Sequence, residues 1–187
     1  MEFVSPILSN GPTWLAANDY YPVGSGMSYG PGNLAPMAEW QSGAGDVMHS
    51  VDAAKFPILV TTPHSHYRQH SWLDSNPALQ DNYRHATWIS VADAQARGSK
   101  DGDLVHVYND QGEMIMPAYV TSRVVPGSGA NLETAYYVPG SMKTALMPDG
   151  IDTRGCCNFI CRDIDIPYTV VGIYNCHGLV QVEKVQG

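Results

Sequence analysis

Apolar residues in this chain come in short runs separated by polar, glycine- and proline-rich stretches, and short runs of that kind predict strands rather than long helices. FPILVTT, residues 56–62, is an apolar run with a β-branched end and predicts a buried strand. RHATWIS, residues 84–90, predicts a second. VADAQARG follows, with alanines at 92, 94 and 96 and a closing Gly98. It predicts a short helix with Ser90 at its N-cap and a glycine C-cap. The clearest unit spans Asp101 to Val124: LVHVY is a strand, NDQG a turn and EMIMPAYVT a returning strand. Pro117 inside that second strand predicts an edge position or a bulge. VVPGS, residues 124–128, is a further turn, residues 138–157 read as loop, and GLVQVEKV, residues 178–185, is an alternating closing strand. Many short strands with one small helix suit a small β-barrel.

The first 53 residues are different. They carry the turn signals NGP, YPVGSG and YGPGN and scattered aromatics, with no sustained period. They are expected to form an extended arm, with EFVSPIL a short strand, and residues 54–187 to form the barrel. With 187 residues and 44% apolar content the chain can bury a sizeable core. Gly 18 and Pro 13, about one residue in six, fit a turn-rich β fold. The net charge of −8 argues against a phosphate-backbone reader of nucleic acid. It leaves room for a diphosphate held by backbone amides and hydroxyls. No run of eighteen apolar residues is present, and MEFVSPILSNGP lacks the basic and apolar regions of a secretory signal. The compartment stays open.

The densest chemistry follows the first strand, in TTPHSHYRQHSWLDSNP, residues 61–77. His64, His66 and His70 sit there among hydroxyls, Arg68 and Gln69. Zinc is one reading, with the histidines joined by Cys156, Cys157, Cys161 or Cys176. However, C-C-x3-C followed fifteen residues later by another Cys is not zinc-ribbon spacing. Buried free thiols are the simpler expectation for the cysteines. The acidic pair Asp101 and Asp103 lacks a third ligand at calcium spacing and reads as turn-stabilising. His85 and His106, in strand contexts, read as structural.

Taken together, FPILVTTPHSHYRQHSWLDSNP, ATWISVADAQARGSKDGDLVHVYNDQGEM, AYVTSRVVPG, GCCNFI and NCHGLVQVEKV occur in an order that resembles one family. It is the C-terminal cofactor-binding domain of molybdopterin oxidoreductases, nearest to catalytic subunits of the dimethyl sulfoxide reductase type. The resemblance covers roughly residues 55–185. It implies a mainly β fold with short helices, a double-psi β-barrel, and a wall for molybdopterin guanine dinucleotide (bis-MGD) with molybdenum or tungsten. It also implies the binding residues: Thr62, Pro63, His64, Ser65, Arg68, Gln69, His70 and Ser71 in the first loop, Asn158 after GCC, and His177 before the last strand. Of these, His64 and His70 match the family's two histidines, and Arg68 is expected to pair with phosphate. His66 is expected to face water. FIC follows Asn158 where a Leu-Thr type continuation is usual in the family, so Cys161 stands where a hydroxyl is expected. Asp93, Gly98 and Gly102 match family positions that carry no chemistry.

The resemblance implies partners as well. They are the remaining domains of a parent catalytic subunit, an iron–sulfur electron-transfer subunit, and a second copy docked through the exposed cofactor face. No nucleic acid and no direct membrane insertion are expected. The compartment it suggests is the bacterial periplasm, the cell envelope or the cytoplasm, with membrane association through partners. No cluster-binding cysteine motif and no metal-ligating segment of the family is visible, so no residue is assigned a catalytic role. The chain alone is expected to be inactive and to bind cofactor weakly, each isolated hydrogen bond being worth roughly 0.5–1.5 kcal/mol net. A free-standing cofactor carrier is the alternative function from another class.

Overall fold

The structure is a computed structural model that describes residues 53–131, 136–161 and 177–186. The expected arm over residues 1–53, apart from its last residue, the EFVSPIL strand and Cys176 lie outside the described residues.

Six strands close on themselves in the order β1 (Ile58–Thr61), β5 (Ser128–Asn131), β2 (Thr87–Ser90), β4 (Glu113–Thr121), β3 (Leu104–Tyr108) and β6 (His177–Lys184). Pairings β1–β5 and β2–β4 are parallel, and the other four are antiparallel. The fold is therefore mainly β with short helices, a closed barrel as the resemblance implies. The core is aliphatic: Val60, Ile89, Val105, Val107, Met114, Ala118, Val180 and Val182 converge inside it, with Ile160 and Cys157 from the 150s loop. These residues alternate with outward-facing ones, as the pleat requires.

The local expectations hold where local chemistry decides. Asn109 N–H meets Gly112 O at 3.1 Å and closes the hairpin between β3 and β4. Helix α2 (Val91–Ala96) starts at Ser90, whose Oγ accepts from Asp93 N at 3.0 Å and donates to Asp93 Oδ2 at 2.6 Å. That is a side-chain N-cap whose hydroxyl is itself held by the Asp93 carboxylate. Gly98, at φ +63°, ends the turn. Asp93 also accepts from Gly127 N at 2.8 Å, while Arg97 donates to Val182 O at 2.9 Å. The Asp93 to Gly98 motif thus fastens α2 to the barrel. Asp101 and Asp103 work as turn residues: Asp101 pairs with Arg84 at 2.9 Å and Asp103 accepts from Lys100 N at 2.8 Å.

Two elements were not foreseen. Helix α1 (Pro77–Asn82) lies in the polar stretch, with Asn76 Oδ1 accepting from Ala78 N at 3.0 Å and Pro77 in the first turn. Strand β5 reads SGAN, a poor strand sequence, yet sits between β1 and β2. A Cβ on Gly129 would lie 2.7 Å from Trp88 O, so the close backbone approach there needs glycine.

Pro117 departs from the expectation of an edge or bulge, since β4 is paired on both sides. Ala118 N–H points toward Asp103 O on the β3 side, and Ile115 N–H points the other way, to Asp152 O. By alternation the Pro117 nitrogen faces the second side, between the Asp152 contact and the start of the β2 ladder at Thr87–Ala118. No donor is required in that gap, so proline is tolerated.

Candidate functional site

The first loop leaves β1 at one end of the barrel. The register Thr61–His177 sets the start of β6 beside the end of β1. Thr62 and Pro63 lead away from that point, Thr62 half-buried and Pro63 exposed. Ser65 Oγ accepts from Tyr67 N at 3.1 Å, so its hydroxyl shapes the loop. Trp72 N–H meets Gln69 O at 2.9 Å, which makes His70 and Ser71 the central residues of a tight turn. His70 takes φ +49° and Leu73 φ +68°, left-handed values that non-glycine residues seldom adopt. Strain of this kind persists where the surroundings enforce it and is commonest at functional sites. The turn brings the exposed rings of His64 and His70 together, with centroids 5.7 Å apart and planes at 62°.

Arg68 is placed differently from its expected role on phosphate. Its side chain is 3% exposed. Nη1 donates to His70 O at 2.5 Å, Nη2 to His85 Nδ1 at 3.2 Å, and Nε lies 3.9 Å from Asp74 Oδ1. The guanidinium is enclosed by its own loop, where it holds the His70 carbonyl. The bond to His85 requires an unprotonated Nδ1. Consistent with this, burial first, and then the charges of Arg68 and Arg154, push the His85 pKa down to about 4. His66 is exposed and lines an open groove of about 360 Å³ with Tyr67, Tyr83, Arg84, Trp88 and Arg123.

Asn158 sits exposed on a 3-10 turn, Cys157–Phe159. One carboxylate builds the loop that leads to it. Asp152 is 0% exposed; its Oδ2 accepts from Gly155 N at 2.7 Å and Cys156 N at 2.6 Å. Its Oδ1 accepts from Val138 N at 3.0 Å and Arg154 N at 3.1 Å. Asn109 Nδ2 then donates to Ile160 O at 2.8 Å and Leu179 O at 3.2 Å, tying the end of the turn to β6.

The two loops meet through an ion pair between buried Asp74 and partly exposed Arg154. Arg154 Nε donates to Asp74 Oδ2 and Nη2 to Asp74 Oδ1, both at 3.0 Å, in the forked geometry of a bidentate pair. Arg154 Nη2 also donates to Asp74 O at 2.8 Å. The residues expected from the sequence therefore fall at one end of the barrel: His64, Gln69, His70 and Ser71 on one turn, Asn158 on the other, and His177 in the adjoining backbone register. Asp74, Arg154 and Asp152 escaped the sequence reading. An aspartate two residues before Asn-Pro and another opening DTRG are turn signals, but neither says what the side chain meets.

Among the described residues no group of three or more His, Cys, Asp or Glu side chains is arranged to hold a metal ion. The zinc reading finds no support there. Cys157 is buried, and Cys156 and Cys161 are half-buried. Burial and the Asp152 charge push the Cys156 thiol up to about 11, so it stays protonated at neutral pH.

The profile of the family described as molydopterin dinucleotide binding domain matches residues 58–175. The chain belongs to this family. It is 33% identical over 137 residues to trimethylamine-N-oxide reductase of Haemophilus influenzae, covering 71% of this chain and 16% of that protein. It is 35% identical over 131 residues to dimethyl sulfoxide reductase DmsA of Escherichia coli, covering 70% and 15%. It is 33% identical over 153 residues to the pyrogallol hydroxytransferase large subunit of Pelobacter acidigallici, covering 74% and 17%. The chain thus spans 15 to 17% of the length of these curated relatives. Acetylene hydratase from Pelobacter acetylenicus shares the fold, with a TM-score of 0.52 at 13% identity, covering 71% of this chain and 19% of that one. A molybdopterin dinucleotide is accordingly the cofactor class of this family.

Proposed function

We propose that this chain is the part of a molybdenum or tungsten oxidoreductase catalytic subunit that closes one side of a bis-MGD site. One observation supports this most: the loop that carries His64 and the strained His70, and the turn that carries Asn158, about 90 residues apart in sequence, are joined by the Asp74–Arg154 pair. A pterin dinucleotide offers ring nitrogens, exocyclic amine and carbonyl groups and a pyrophosphate. Two imidazoles, the Gln69 and Asn158 amides and the Ser71 hydroxyl form a directional hydrogen-bonding set that fits such a group. Arg68 acts behind them, on the His70 carbonyl, rather than on phosphate. Bound there, the metal–pterin group supplies two-electron redox chemistry, while this chain's side chains bind it, orient it and exclude water.

The parent's substrate is inferred only by class. The names of two relatives point to oxygen-atom removal from a small N-oxide or S-oxide. A third is named a hydroxytransferase, so the choice of substrate belongs to parts of the parent beyond this chain. The remaining catalytic domains and an iron–sulfur electron-transfer subunit are the proposed partners, in the cell envelope or the cytoplasm.

The test is cofactor content. In the purified full-length subunit, His64→Ala with His70→Ala, and separately Asn158→Ala, should lower pterin and metal content while thermal stability stays near wild type. Wild-type content in all these variants would refute the proposal. The carrier alternative predicts a different result, tight binding of purified dinucleotide to this chain alone.

A further inference from the structure

The Asp74–Arg154 pair has properties that a simple stabilising contact does not need. No strand ladder joins its two segments: β1 lies between β5 and β6, and residues 150–158 contribute only isolated bridges at Asp152. Both carboxylate oxygens and the main-chain carbonyl of Asp74 are taken by one guanidinium. Asp74 O also accepts from Gln80 Nε2 at 2.7 Å, which anchors it to α1. On the other side, Arg154 is fixed through its own N–H to Asp152, whose second oxygen holds the Gly155 and Cys156 amides. Arg68, 3.9 Å from Asp74, grips the carbonyl of His70. A continuous chain of polar contacts thus runs from His70 through Arg68, Asp74, Arg154 and Asp152 to the turn that carries Asn158. The Arg68–Asp74 link is a charge contact at 3.9 Å and the others are hydrogen bonds, the central one with a forked geometry that lysine cannot reproduce.

From this geometry we infer that Asp74 and Arg154 are positioning residues, which set the spacing between the His64–His70 turn and the Asn158 turn so that both reach one cofactor. The inference rests on the functional reading above. It goes further, because it assigns the fit of the site to residues that do not touch the cofactor. Supporting partners behind a ligand set commonly carry 10–100-fold in affinity. The pair should therefore act on cofactor retention more than on folding.

The test uses the full-length subunit and the variants Arg154→Lys and Asp74→Asn. A third variant, Val107→Ala, opens the barrel core without removing any of these polar contacts and is the control for general loss of stability. Thermal midpoint and the rate at which pterin is released from the purified protein are measured for each. Arg154→Lys keeps the charge and loses the fork. It should speed pterin release by about tenfold or more, with a midpoint at or above that of Val107→Ala. Val107→Ala should release pterin at close to the wild-type rate. Release that tracks the midpoint in all three variants would overturn the inference and leave a merely structural ion pair. Unchanged release in both loop variants would overturn it too. A wild-type subunit that carries no pterin dinucleotide would refute the functional reading, and the inference with it.

Discussion

Gly155 and His85 show how tightly single positions near the candidate site are specified. Gly155 takes φ +83°, and a Cβ there would sit 2.5 Å from His85 Nε2 and 2.8 Å from Met116 Cε. Gly155→Ala should therefore destabilise the protein by about 1–3 kcal/mol or more, from backbone strain and displacement of the imidazole. Thermal or urea unfolding checks this, and an unchanged midpoint would contradict it. His85 sets a pH dependence. Its folded pKa of about 4 lies below the ordinary value of 6.5, so below pH 6.5 the unfolded chain binds more protons than the native one. This contribution to stability is complete above pH 6.5 and is lost as pH falls toward 4, about 3 kcal/mol in all. The thermal midpoint between pH 7 and 4.5 should fall more steeply for wild type than for His85→Gln, and equal slopes would count against the assignment. The hydrogen-bonding side chains at 64–71 were readable in the sequence because they crowd into one stretch. The partnership of Asp74 with Arg154 was not, because residues 80 apart meet only when the barrel closes.

Elements divided along the same line. The hairpin β3–β4 and helix α2 were readable because a turn, a cap and an apolar pattern lie within a few residues of each other. Strand β5 was not, since Ser, Gly, Ala and Asn carry little strand preference. SGAN is extended because β1 and β2 supply ladders on both sides, a case of tertiary context overriding propensity. The loop over residues 150–158 is the opposite case, an irregular segment in which one carboxylate substitutes for a ladder. Asp152→Asn keeps its shape but turns an amide NH2 toward two backbone donors. Each buried donor left without an acceptor costs about 1–3 kcal/mol. The variant should lower the unfolding midpoint and speed amide exchange at Gly155 and Cys156 in particular, while Asp149→Asn, on an exposed neighbour, should do neither. Slow exchange at both amides in the Asp152 variant would show that the loop holds its shape without the carboxylate.

The whole barrel presents an uneven surface: among the described residues, Val91, Leu104 and Val125 are exposed singly, while the other large exposed apolar side chains fall in residues 67–73 and 136–146. Trp72 is 69% exposed and Leu73 50%, on the loop that carries His70. Tyr136, Met142 and Leu146 are also about half exposed, in the segment whose Tyr137 packs edge-on against Phe159, beside Asn158. Scattered apolar residues on a surface need no explanation, but clustered ones mark a face that is covered in the working protein. Because the chain spans only 15 to 17% of its curated relatives' length, most of the cover is expected from outside it. Produced alone, the chain should therefore self-associate. Sedimentation equilibrium should report dimers or larger species at tens of micromolar protein, while Trp72→Ser with Leu73→Ser should shift the population toward monomer without lowering the unfolding midpoint. Within the full-length subunit the same two residues should be protected, so that Trp72 fluorescence is insensitive to added iodide. A wild-type chain that stays monodisperse and monomeric at high concentration would mean that the loops cover their own apolar side chains, and that the face around the site is already complete without a partner.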